Sequence, residues 1–281
     1  MSDSSRARLA RIVREPGCDL AEAALLCCVE IEPDLDVDAE LLRLDAFADG
    51  LRATGHMPGE ARADAEALAA HLAGNLGFDG DRERYHDPRN GLLTAVLDRK
   101  RGLPIALAIV YVSVARRAGI AAFGINTPGH FLVGVTSQRR ATGATVVHPV
   151  VVDPFHGGTL LTEAQVSERL QAVTGGTGHV SPSMLRPAPC PVVVRRLLDN
   201  LTRDFLGQGD VEDALWTVEL KLLLPESSPH DLRMAGELLV QLGRYRMAAE
   251  ILEDYVMREG GQGEDIEAIT RLALRARAQM N

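Results

Sequence analysis

The chain has 281 residues, of which 46% are hydrophobic and 25% charged, the balance of a globular protein with room for more than one core. A net charge of -9 argues against a nucleic-acid partner, because phosphate binding needs a basic stripe and the run Arg99, Lys100, Arg101 is too short to supply one. The first residues hold no apolar leader, and the longest nearly apolar stretch, 103–115, falls short of the roughly 18 residues of a membrane span, so no membrane partner and a cytoplasmic location are expected.

From Asp19 to about Leu76 apolar residues recur at helical intervals, with an N-cap expected between Asp34 and Asp38 and a turn at GHMPGE. Residues 1–76 are therefore set apart as an N-terminal helical region. A polar loop over 75–90 precedes a short helical pattern, GLLTAVLDRK, and then an apolar helix over about 103–118 with Pro104 in its first turn. Two strand-like runs follow, HFLVGV at 130–135 and VVHPVVVD at 146–153, separated by a polar turn at 137–143. Helix followed by antiparallel strands makes 77–180 an α+β unit.

The stretch GGTGHVSPSMLRPAPCP reads as a linker, and beyond it, over 190–281, the helical period returns. Aligning GDVEDALWTVEL with GRYRMAAEILED superposes Gly209 on Gly243, Ala214 on Ala248 and Val218 on Leu252; upstream, Leu201 falls on Ala235 and Phe205 on Leu239. The offset is that of a tetratricopeptide repeat, about 34 residues. Two such units leave apolar faces uncovered, so the tail is expected to pack on the middle region. Trp216 reads as a core residue of this repeat. The four cysteines, Cys18, Cys27, Cys28 and Cys190, show no paired spacing and are expected as free thiols.

The ordered series YHDPRN, RKRGLPIALA, PGHFLVGV and VVDPFHGG resembles the transglutaminase-like family found in SirB-type bacterial proteins, which join such a domain to tetratricopeptide-type helices. The resemblance implies an α+β fold with a papain-like or transglutaminase-like core, an N-terminal helical cap and C-terminal helical hairpins. It also implies a dyad of His130 and Asp153 on neighbouring strands, with Tyr85, Arg89, Asn90, Pro104 and Phe131 around a binding cleft and Asn90 donating into it.

Thiol enzymes of this kind place Cys at a helix start, where the dipole and an imidazole lower its pKa. Here that position reads Leu103, Pro104, Ile105, Ala106, with neither Cys nor Ser. The chain is thus expected to be a non-catalytic scaffold binding a protein or peptide; the alternative is a hydrolase or amide-processing enzyme using His130 and Asp153 on water. His86, His130, His148, Asp153 and His156 have no diagnostic ligand spacing, so no metal and no cofactor is expected.

Overall fold

The computed structural model describes residues 2–137, 148–174, 182–225, 227–258 and 264–279. The chain divides into two compact units, one of residues 16–197 and the other of residues 1–15 together with 198–281. Residues 16–76 therefore fold with the sheet, while the first helix belongs with the C-terminal ones.

The unit of residues 16–197 is organised around α6 (Pro104–Arg117), whose residues 104–115 are all buried. Short side chains such as Ala106 and Ala108 let neighbours approach, and each fully buried Leu107 or Ile109 stabilises by roughly 1.5–3 kcal/mol. Packed against α6 are α2 (Leu20–Cys28), α3 (Val37–Ala53) and α5 (Leu93–Arg99). Asp19 caps α2 by accepting from Ala21 N and Glu22 N, and Asp36 caps α3 by accepting from Ala39 N, within the span the sequence indicated. The helix α4 (Ala61–Ala69) runs into a π-helical turn at Ala70–Asn75.

A two-residue parallel pair, β1 (Asp79–Gly80) and β2 (Arg101–Gly102), leads into α6. The main sheet is an antiparallel meander of β3 (Ala121–Thr127), β4 (His130–Thr136), β5 (Val150–Asp153) and β6 (Thr159–Leu161), with α6 packed on β3 and β4. The sequence reading missed β3, because Gly124 and Asn126 interrupt its strand pattern, and missed β6, which has only three residues. The proposed turn over 138–143, residues 146–147 of the second expected strand and residues 175–181 of the expected linker lie outside the described residues.

One expectation is overturned: Cys18 and Cys190 form a disulfide, their Cα atoms 6.2 Å apart. They lie 172 residues apart, at the starts of α2 and of α8 (Cys190–Gln208), so no spacing rule could pair them. Cys27 and Cys28 are free and buried, and burial pushes both thiols up, that of Cys28 to about 11.

The second unit holds α1 (Ser2–Ile12), the later part of α8, α9 (Val211–Leu223), α10 (Pro229–Gln241), α11 (Tyr245–Arg258) and α12 (Glu264–Ala278). The last four pack in sequence order, and α1, with Leu9 and Ile12 buried, neighbours α9 and is tied to it by an Arg6–Glu219 ion pair at 2.8 Å. Gly209 and Gly243 both have positive φ in the turns after α8 and α10, and Ala214 and Ala248 are both fully buried, so residues 34 apart hold like environments. Trp216 packs edge-on against Phe205, ring centroids 5.8 Å apart. No helix among the described residues is long and apolar enough to cross a membrane.

Candidate functional site

His130 opens β4 and Asp153 closes β5. The register pairs Val133 with Val152, which puts Asp153 across from Leu132 and makes His130 its diagonal neighbour on the same face. The two side chains meet, His130 Nε2 lying 3.0 Å from Asp153 Oδ1.

Asp153 is fully buried and both of its oxygens are engaged. It starts a 3-10 turn, Pro154–His156, and its Oδ1 accepts from Phe155 N at 3.1 Å. Residues three apart eclipse in such a turn, so His156 returns over its own cap, with Nδ1 2.8 Å from Asp153 Oδ2. Arg169, on α7 (Glu163–Thr174), donates to the same Oδ2 through Nη1. The turn ends at Gly157 and Gly158, both at positive φ; a Cβ on Gly158 would lie 2.8 Å from the Ala69 Cβ and 3.0 Å from the Tyr111 hydroxyl. This accounts for the two glycines of DPFHGG.

Burial pushes the His130 imidazole down to about 4, helped by the positive charges of His156, Arg169 and Arg196. Asp153 does not reverse this, because Arg169 already balances its charge. His130 is thus neutral at pH 7; with Nε2–H donating to Asp153, Nδ1 keeps its lone pair and has no hydrogen-bond partner among the described residues. His156 is also lowered, first by burial and then by Arg82.

The Phe155 ring joins this cluster to a groove. Its centroid is 6.0 Å from that of His130 and 5.7 Å from that of Tyr85, and Gly80 leaves the space it fills, since a Cβ there would lie 2.5 Å from the ring. Arg82 donates to Phe155 O at 2.7 Å and Gly157 N donates to Asp79 at 3.1 Å. Asp79, Gly80, Asp81, Arg82, Glu83, Arg84, Arg99 and Arg101 line a groove of about 580 Å³.

Of the expected cleft residues, Tyr85 alone touches this aromatic cluster. Asn90 is fully buried; its amide donates to Arg84 O at 2.6 Å and its Oδ1 accepts from Arg99 at 3.0 Å, so both ends of the side chain are engaged in tying its loop to the end of α5. Arg89 is exposed and forks onto Asp87. Phe131, next to His130 in the strand, points to the opposite face and is buried against Gly124. Pro104 is buried at the start of α6, where Leu103 N donates to Asn90 O at 2.8 Å. Leu103 and Ala106 are fully buried and Ile105 is 1% exposed, so no nucleophile occupies that helix start.

The five-residue metal cluster weighed from sequence does not assemble as a whole. His148 pairs with Glu163 at 3.1 Å, and His86 packs on Tyr85. Yet His130, Asp153 and His156 each bring one ligand atom to within 4.8 Å of the others. His156 was legible as the third residue after Asp153 in DPFH. Arg169 was not, since no motif surrounds it.

Residues 38–199 match the family described as the transglutaminase-like superfamily. A UPF0162 protein of Xylella fastidiosa is 30% identical over 240 residues, covering 84% of this chain and 83% of its own, and one of Vibrio cholerae is 27% identical over 240 residues, covering 84% of each. F-box only protein 21 of Mus musculus is 26% identical over 136 residues, 48% of this chain and 21% of that protein. No solved structure matches significantly.

Proposed function

Because the chain belongs to the transglutaminase-like superfamily and carries no nucleophile where that chemistry would start, we propose that it is a non-catalytic transglutaminase-like scaffold that binds a protein or peptide. The observation that carries this reading is the fate of the thiols. Leu103, Pro104, Ile105 and Ala106 fill the start of α6, Cys18 and Cys190 are joined, and Cys27 and Cys28 are buried with raised pKa. A thioester needs a thiolate within hydrogen-bond reach of its base, and none of these groups supplies one to His130.

The groove beside Phe155 is the proposed peptide surface, its four arginines and three acids offering charge-assisted bonds to side chains and backbone. A second surface is the C-terminal helices, which we read as tetratricopeptide-type hairpins on the strength of the 34-residue correspondence and the buried alanines. The match to a segment amounting to 21% of F-box only protein 21 supports a domain that also works inside a larger chain.

The unbonded Nδ1 of a neutral His130 favours one other reading, a hydrolase that activates water without a thiol. Amide and ester hydrolysis, and amine transfer to a glutamine peptide, should show no turnover in the wild type. Ile105→Cys should resist iodoacetamide in the folded protein, because that side chain is 1% exposed, and should give no multiple turnover. Turnover by the wild type that His130→Ala abolishes would refute the scaffold reading, and multiple turnover by Ile105→Cys that His130→Ala abolishes would mean a working cleft that lacks only its nucleophile. For binding, a peptide-display selection on the folded protein should enrich sequences whose affinity falls in Arg84→Glu and Arg101→Glu; enrichment indifferent to both would rule out the groove.

A further inference from the structure

Around Asp153 the polar contacts cannot all be good hydrogen bonds at once. His156 Nδ1 lies 2.8 Å from Asp153 Oδ2 and 3.3 Å from Arg169 Nη1, and Arg169 Nη1 also reaches Oδ2. If Nδ1 is protonated it donates to the carboxylate, but then it confronts a guanidinium N–H that is itself a donor. If Nδ1 is bare it accepts from Arg169, but then its lone pair opposes those of the carboxylate. Either tautomer leaves one short contact between like groups. A cation with no hydrogens, placed where Nη1 sits, would accept both lone pairs.

We propose that His130, Asp153 and His156 form a binding site for a divalent transition-metal ion, and that Arg169 is the cation that occupies it when no metal is bound. One ligand atom from each residue lies within 4.8 Å of the others. The nitrogen-to-oxygen edges, 3.0 Å for His130 and 2.8 Å for His156, approach the edge of roughly 3–3.4 Å set by bonds of about 2.1 Å to a first-row ion. Two imidazoles and a carboxylate suit zinc, iron(II), cobalt or nickel, whereas calcium and magnesium prefer oxygen alone.

The remaining adjustment falls on groups free to make it. Asp153 is held by β5 and by the Phe155 amide, so the carboxylate is fixed. His156 has 43% of its side chain exposed and is followed by two glycines, so its ring can turn toward His130. Arg169, 36% exposed, can swing into solvent. Three protein ligands leave at least one coordination position for water or an outside group.

Metal and guanidinium then compete, which makes Arg169 a negative determinant of affinity. This inference uses side chains other than the groove and stands whether or not the scaffold reading does. The full-length protein, stripped with chelator and dialysed, would be titrated with Co²⁺ by visible absorption and with Zn²⁺ against a chromophoric chelator. One equivalent should bind, about tenfold more tightly in Arg169→Ala and at least about tenfold more weakly in His156→Ala, with His148→Ala unchanged. Circular dichroism checks that each variant is folded; should His156→Ala fail that check, the Arg169→Ala titration decides. No stoichiometric binding by either the wild type or Arg169→Ala, or binding that a folded His156→Ala leaves intact, would overturn the proposal.

Discussion

Two places in the unit of residues 16–197 meet the same requirement, burial, in opposite ways. At the start of α6, Leu103, Ile105 and Ala106 are sealed among apolar neighbours and ask nothing specific of them. At the end of β5, one buried carboxylate gathers two imidazoles, a guanidinium and a backbone amide. Apolar packing tolerates replacement by side chains of similar size, whereas a polar cluster is cooperative in failure, because losing one member leaves the others desolvated and unpaired. A His–Asp pair can therefore hold together without a nucleophile beside it: its own energetics keep it in place.

The largest expected effect attacks the polar end. Asp153→Asn removes the negative charge that His130, Arg169 and the Phe155 amide share and should cost about 3–5 kcal/mol in urea denaturation, in keeping with breaking a buried ion pair from one side. A loss below about 1 kcal/mol would erase the contrast with α6.

Acid should attack the same place. His130 takes up its proton near 4 in the folded protein, against 6.5 ordinarily, so above 6.5 it is neutral in both states and contributes no pH dependence. Between 6.5 and 4 the unfolded chain binds the proton first, so stability falls on acidification, by up to about 3 kcal/mol for a displacement of that size. Denaturation midpoints at pH 7 and pH 5 in wild type and His130→Gln give the test; equal slopes in the two proteins would mean that the imidazole is not the group responsible.

At the apolar end, Ile105→Val should cost only about 0.5–1.5 kcal/mol, the range for one lost buried methylene. A loss as large as that of Asp153→Asn would show the helix start to be as exacting as the carboxylate. The smallest effect belongs to Arg89→Ala, since Arg89 is exposed and, among the described residues, paired with Asp87 of its own turn. Its melting temperature should match that of the wild type, and a clear drop would give this loop a structural part that the contacts do not show.

What could be read in the sequence follows the range of the forces involved. The helical cap at Asp36, α6 with Pro104 in its first turn, and the strands carrying His130 and Asp153 are set by neighbours a few residues away. Arg169 reaches Asp153 from a helix that no motif marks, and Cys18 finds Cys190 across 172 residues, so both required the fold itself. Asn90 was placed differently for a related reason: its residue type suits a donor in a cleft, but its amide is used by Arg84 O in its own loop and its oxygen by Arg99 at the end of α5.

The placement of α1 bears on how the protein is made. Arg6 and Glu219, paired across the α1–α9 contact, are separated by 213 positions in the chain, so at roughly 5–20 residues per second the first helix leaves the ribosome about 10–40 s before its partner exists. An 11-residue helix is marginal alone in water, so α1 waits as an unstructured, apolar-bearing segment while the whole of residues 16–197 is synthesised and can fold. The last unit to close is thus the one that contains α1, made before the whole of the other unit, and during that interval Leu9, Ile12 and Val13 are what a chaperone, or a neighbouring nascent chain, would find.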